Sequence, residues 1–189
     1  MNPAAPHDPG TRPIAYPAGV VPRAVYGGAN DCYRYSLELR WDTTRPAMMA
    51  LMMNPSAAGH EGSDRTVNRV IGFARHWGYG TLWIANSAAY RATFQDTLDQ
   101  VDDPIGPDNE AALRSMAAAS SFILAAYGSP KAKSLHGAGL RWARMLAAAG
   151  HRLHVLRLGK DGSPGHPLYI PGDAVPFEWR PSGVEGEGR

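Results

Sequence analysis

The run Ala47-Met48-Met49-Ala50-Leu51-Met52-Met53 follows Pro46 and stops at Asn54-Pro55-Ser56. An apolar run this short, with no polar break, is the pattern of a strand covered on both faces, as in a parallel sheet. Downstream, Ser63 or Asp64 offers an N-cap, after which Val67, Val70, Ile71, Ala74 and Trp77 recur at helical spacing until Gly78. Leu82-Trp83-Ile84-Ala85 then repeats the buried-strand pattern and ends at Asn86, as the first run ended at Asn54. A strand, a helix and a second strand in this order imply a right-handed crossover and a parallel pair.

The alternation continues toward the C-terminus. A helix is predicted from about Asp108 to Ala119, a third strand over Phe122-Ile123-Leu124-Ala125-Ala126, and a helix from a Ser134 cap to Ala149. His154-Val155-Leu156 marks a fourth strand, followed by the loop Gly159 to Pro167. Upstream, Tyr33, Tyr35, Leu37, Leu39 and Trp41 alternate with Arg34, Ser36, Glu38 and Arg40, the period of a half-buried edge strand. The expected fold class is α/β: a three-layer α/β/α sandwich with a mainly parallel four-stranded central sheet plus an edge strand. Residues 31–179 are expected to form one domain, between a proline-rich disordered arm over 1–30 and a disordered Gly- and Glu-rich tail over 180–189.

A chain of 189 residues and 20.3 kDa fits one core. With 44% hydrophobic and 19% charged residues it has a globular composition, and its longest apolar run is too short to cross a bilayer. Cys32 is the single cysteine, which excludes a disulfide scaffold and a thiolate metal cluster. No export signal opens the sequence, and the expected compartment is cytoplasmic. The histidines show no ligand spacing, so no metal and no cofactor are expected. The net charge of +2 is unevenly distributed: Phe94 to Glu110 carries six acids and no base, whereas Ala111 to Lys160 carries eight bases and no acid. The basic half is either a solvated face or a phosphate-contacting surface.

Ligands of open parallel sheets bind beyond the carboxyl ends of the strands. Asn54-Pro55-Ser56, Asn86-Ser87 and His166-Pro167 all fall at such ends. An Asn carbonyl holds a water, an Asn amide reads a donor and acceptor pair, and a His donates to a developing anion. Together they suit hydrolysis of a bond with a stabilised anionic leaving group. Asp64 suits a plain N-cap better than an anion site, and Arg91 either reaches a phosphate or pairs with the acidic loop.

The stretches Leu51 to Ser56, Ser63 to Thr66, Gly72-Phe73-Ala74, Gly78-Tyr79, Asn86, Tyr90 to Thr93, Gly106 to Asn109 and His166 to Tyr169 resemble an uncharacterised bacterial family, the domain of unknown function numbered 1643. The order of motifs also resembles the uracil-DNA glycosylase superfamily, above all its mismatch-specific branch. That resemblance implies a glycosylase-like fold and an N-glycosidase acting on a modified or mismatched base in DNA, or on a nucleoside or nucleotide. It implies Asn54 and His166 as catalytic residues, with Asn54 positioning water and His166 against the departing base. Asn86, Ser56 and Tyr90 would bind the base, and Arg91, Lys160 and Ser163 the phosphates. The expected partner is DNA or a nucleotide, bound by a monomer with no membrane association. Met52 replaces the usual Gly two residues before the first motif's polar residue, and Leu168-Tyr169 breaks the usual His-Pro-Ser-Pro loop. These departures keep open a non-catalytic nucleic-acid or nucleotide binder on the same fold.

Overall fold

The computed structural model describes residues 12–183. Its strands are β1 (Val21–Gly27), β2 (Tyr33–Arg40), β3 (Ala47–Met52), β4 (Thr81–Asn86), β5 (Phe122–Ala125), β6 (Leu153–Val155) and β7 (Phe177–Trp179). The helices are α1 (Arg65–His76), α2 (Asn109–Ala118) and α3 (Ala138–Ala148). One sheet holds all seven strands in the order β1-β2-β4-β3-β5-β6-β7.

This corrects the expected sheet of four mainly parallel strands and one edge strand. The pairings β3–β4, β3–β5 and β5–β6 are parallel, but β1–β2, β2–β4 and β6–β7 are antiparallel. The sheet is mixed, and the glycosylase-type parallel sandwich is not the observed architecture. Of the two added strands, β7 closes the expected domain and β1 comes from outside it. Val21–Gly27 lies in the stretch expected to be an arm, yet it pairs along β2 and so moves β2 off the edge. Residues 1–11 and 184–189, where the rest of the arm and most of the tail fall, lie outside the described residues.

β3 is apolar on both faces because helices cover both. Met48, Ala50 and Met52 pack with Val67, Val70, Ile71 and Ala74 of α1. Met49 and Leu51 pack with Leu113 and Met116 of α2 and Trp142 and Leu146 of α3 on the other side. The α1 stripe is the predicted one, and the helix begins where Asp64 accepts a hydrogen bond from the Val67 amide at 2.8 Å. Past its end Gly78 sits at φ +85°, the left-handed conformation that favours glycine. α3 begins later than predicted: Lys133–Leu135 forms a short 3₁₀ turn, and Gly137 precedes the helix.

The alternation in β2 also needs correction. The register against β1 passes from Ser36 directly to Arg34, leaving Tyr35 as a bulge residue. A bulge inverts side-chain parity. Arg34 thereby joins Leu37 and Leu39 on the α1 side, where Ala58 of the same cluster receives its hydrogen bond, while Glu38 lines a hollow beside Ala112 and Met116 of α2.

Candidate functional site

The parallel register sets Met52 beside Asn86, so β3 and β4 end at the same edge. The chain continues the pairing briefly, with Ser87 N–H donating to Met52 O at 2.8 Å and Ala88 N–H to Met53 O at 3.0 Å. Beyond these ends, under the start of α1 and the His166 loop, lies a cavity of about 160 Å³. Asn54, Ser56, Asn86 and His166 line it together with Arg34, Asp64, Thr66, Thr93 and Gln95.

Asn54 is held by its amide nitrogen, which donates to Ala92 O at 2.7 Å and Pro55 O at 3.0 Å. Both N–H bonds are thereby used, and the side-chain carbonyl remains as the acceptor Asn54 can offer a ligand. Asn86 is 2% exposed and is oriented from the other end. Its Oδ1 accepts from Arg34 Nη2 at 2.9 Å, and its backbone carbonyl accepts from Asn109 Nδ2 at 3.0 Å. An arginine can only donate, so Asn86 Nδ2 is the atom left for a ligand.

Arg34 is itself 2% exposed and also donates to Ala58 O. Among the described residues it forms no ion pair, and its Nε has no hydrogen-bond partner. Burial pushes its guanidinium below the usual arginine range, and the Asp64 carboxylate opposes that shift. Among the described residues, Asp64 is the one carboxylate lining the cavity. His166 is half-buried, with its Nδ1 accepting from Leu168 N–H at 3.4 Å, so the neutral ring carries its proton on Nε2. Burial lowers the His166 pKa, and Asp64 again opposes. The Thr93 hydroxyl is buried without a partner among the described residues.

Other sequence-predicted residues lie elsewhere. Tyr90 is 2% exposed and belongs to a cluster with Cys32, Leu98 and Leu135, edge-on to Tyr33; it does not line the cavity. Arg91 lies over the Tyr26 ring at 4.9 Å and donates to Asp31 O at 3.1 Å, beside a different hollow that His60 and Glu61 also line. Lys160 is exposed, and the Ser163 hydroxyl is bound to Asp161, away from the cavity. Of the basic residues, Arg114 pairs with Glu110 on α2, Arg152 precedes β6, and Arg157 and Lys160 follow it.

Sequence reasoning missed Arg34 and Asp64 as cavity residues. Arg34 was masked by strict alternation, which a bulge interrupts. Asp64 is the N-cap it was read to be, and the same position brings it to the cavity. Among the described residues no three His, Cys, Asp or Glu side chains gather as a metal-binding group, and no helix is long and apolar enough to cross a membrane.

A family model described as "Protein of unknown function (DUF1643)" matches residues 34–168. The chain belongs to that family. The DUF1643 match begins at Arg34 and runs two residues past His166, so every residue lining the cavity falls inside it. The description attaches no activity to the family, and the match lends nothing to the glycosylase resemblance. No curated protein and no solved structure matches the chain.

Proposed function

We propose that the cavity is an N-glycosidase site that hydrolyses the base–sugar bond of a modified or mismatched base in DNA, or of a nucleoside or nucleotide. The observation that carries this reading is the convergence of Asn54, Asn86 and His166 on one small cavity at the ends of adjacent parallel strands. Its volume, about 160 Å³, is below the roughly 300–1,000 Å³ of ordinary small-molecule sites and suits one heterocycle instead of a whole nucleotide.

In this reading Asn86 Nδ2 donates to the base edge, and Asn54 Oδ1 holds a water against the anomeric carbon. The carbon–nitrogen bond breaks with its electron pair going to the base, through an oxocarbenium-like sugar that the Asp64 carboxylate stabilises. His166 Nε2–H donates to the departing anion. The water oxygen bonds to carbon, and its proton passes to the Asp64 carboxylate. Tyr169, 73% exposed with its ring 5.5 Å from that of His166, supplies an aromatic wedge for extruding a base from duplex.

The test is a panel of single- and double-stranded oligonucleotides carrying uracil, mismatched or modified bases, beside free nucleosides. Base release is read by alkaline cleavage at abasic sites and by chromatography. Release of one base class that Asn54→Ala abolishes, with binding kept, supports the reading. Binding without release makes the protein a binder of the same base, and neither binding nor release refutes the proposal.

A further inference from the structure

A second and larger cavity, of about 390 Å³, lies at the same edge of the sheet but on the α2 and α3 side. Met53 borders both cavities, and Ser87 faces this one while its neighbour Asn86 faces the other. The volume is within the range of small-molecule sites. Leu135, Leu140, Leu158 and Trp179 make one part of the lining apolar.

The polar part is built around the start of α3. This helix of 11 residues has no side-chain cap and no acid in its first turn. Ala138 and Gly139, which open it, are buried, Gly139 and Leu140 line the cavity, and the first amides of a helix lack an intrahelical partner at its positive end. Residue 139 must be glycine: a Cβ there would stand 2.5 Å from Tyr127 Cδ2. That glycine lets the Tyr127 ring lie directly on the first turn.

Tyr127 is the independent pointer to a ligand. It lines the cavity, is 6% exposed, and its hydroxyl makes no hydrogen bond to any described residue. The ring is buried, but the hydroxyl is not sealed from solvent, so within the cavity it is a donor open to a ligand. Burial raises its pKa, Arg144 opposing and Asp161 adding, so the group stays a donor. Around it the guanidiniums of Arg144 and Arg180 outnumber the carboxylate of Asp161, which accepts from Ser129 Oγ at 2.5 Å and from the Ser163 amide and hydroxyl at 3.1 Å.

We propose that this cavity binds an oxyanion, phosphate or carboxylate, carried on an apolar or aromatic body. The α3 amides and the Tyr127 hydroxyl hold the anion, and the leucines with Trp179 cover the body. The inference is independent of the glycosidase reading.

Titration of the full chain with phenyl phosphate, phenylacetate, inorganic phosphate and phenol tests it, followed by calorimetry and by amide NMR shifts of Ala138, Gly139 and Leu140. Phenyl phosphate or phenylacetate is expected to bind and to shift these amides, with phosphate and phenol at least roughly tenfold weaker; which of the two binds tighter identifies the headgroup. Tyr127→Phe, which keeps the ring, should weaken binding roughly tenfold or more. Leu140→Glu places an acid at a helix position that tolerates one while repelling the anion, and it should abolish binding. No binding of either aromatic anion at millimolar concentration, phenol binding as tightly as both, or unchanged affinity in either folded variant would each overturn the proposal.

Discussion

Replacing Asn86 by Ala removes the acceptor that Arg34 Nη2 meets at 2.9 Å and leaves a buried guanidinium N–H without a partner. Both residues are 2% exposed, so solvent screening does little to soften the loss. A hydrogen bond to a charged group contributes about 1.5–3 kcal/mol. Truncating the amide removes little apolar packing, so this bond accounts for most of the expected cost. For a chain of this size each kcal/mol shifts the melting temperature by about 2–4 °C, which places the drop at about 3–12 °C. Asn86→Asp is the matched control: it keeps an acceptor at Oδ1 and adds a charge opposite an arginine that is already desolvated, so it should recover most of the loss at neutral pH. The assay is urea unfolding of the three proteins, compared at constant m-value. If Asn86→Ala lies within about 0.5 kcal/mol of the parent, the Arg34–Asn86 bond does not orient the amide, and the assignment of Asn86 Nδ2 as the ligand-facing atom fails with it.

Asp64→Ala should cost about 0.5–2 kcal/mol through loss of the α1 cap, whereas Asp64→Asn should restore stability and leave base release impaired; equal stability of the Ala variant would refute the capping role. Trp142→Phe removes the Nε1–H that donates to Ser87 O at 2.8 Å in the core and should cost about 1–3 kcal/mol, read by the same unfolding assay. Burial lowers the pKa of both His154 and His166 from the ordinary 6.5. The folded state therefore resists protonation, and the stability these rings contribute is complete above pH 6.5, falls as pH drops through 6.5, and levels off below their folded values. Melting temperatures from about pH 8 to pH 5 should show this decline, and a double His→Phe variant should flatten it. Tyr169→Ala should slow base release from duplex more than from single strands; an equal effect on both would exclude a wedge.

Local patterns determined much of this molecule without any structure. The two-sided apolar run at Ala47 to Met53 and its counterpart at Leu82 to Ala85 are the central parallel pair, and the Asp64 cap and the α1 stripe stand where periodicity put them. The sequence also placed Asn54 and Asn86 at equivalent strand ends, because polar residues that stop a buried run are visible in one dimension. What only the tertiary structure decided is pairing across distance. β1 lies in a stretch rich in proline and glycine that reads as an arm, and only its partnership with β2 makes it a strand. Tyr90 follows the Asn86 strand closely, yet it turns into a separate core, as Arg91 turns to Tyr26. Arg34 was legible as a charged residue in an alternating strand, which by parity belongs outside. The unpaired Tyr35 reverses that parity, and a bulge is defined by the register between two strands and not by the composition of either. A side chain's face is a local property only while the ladder is regular, and here the irregularity brings a buried cation to the cavity.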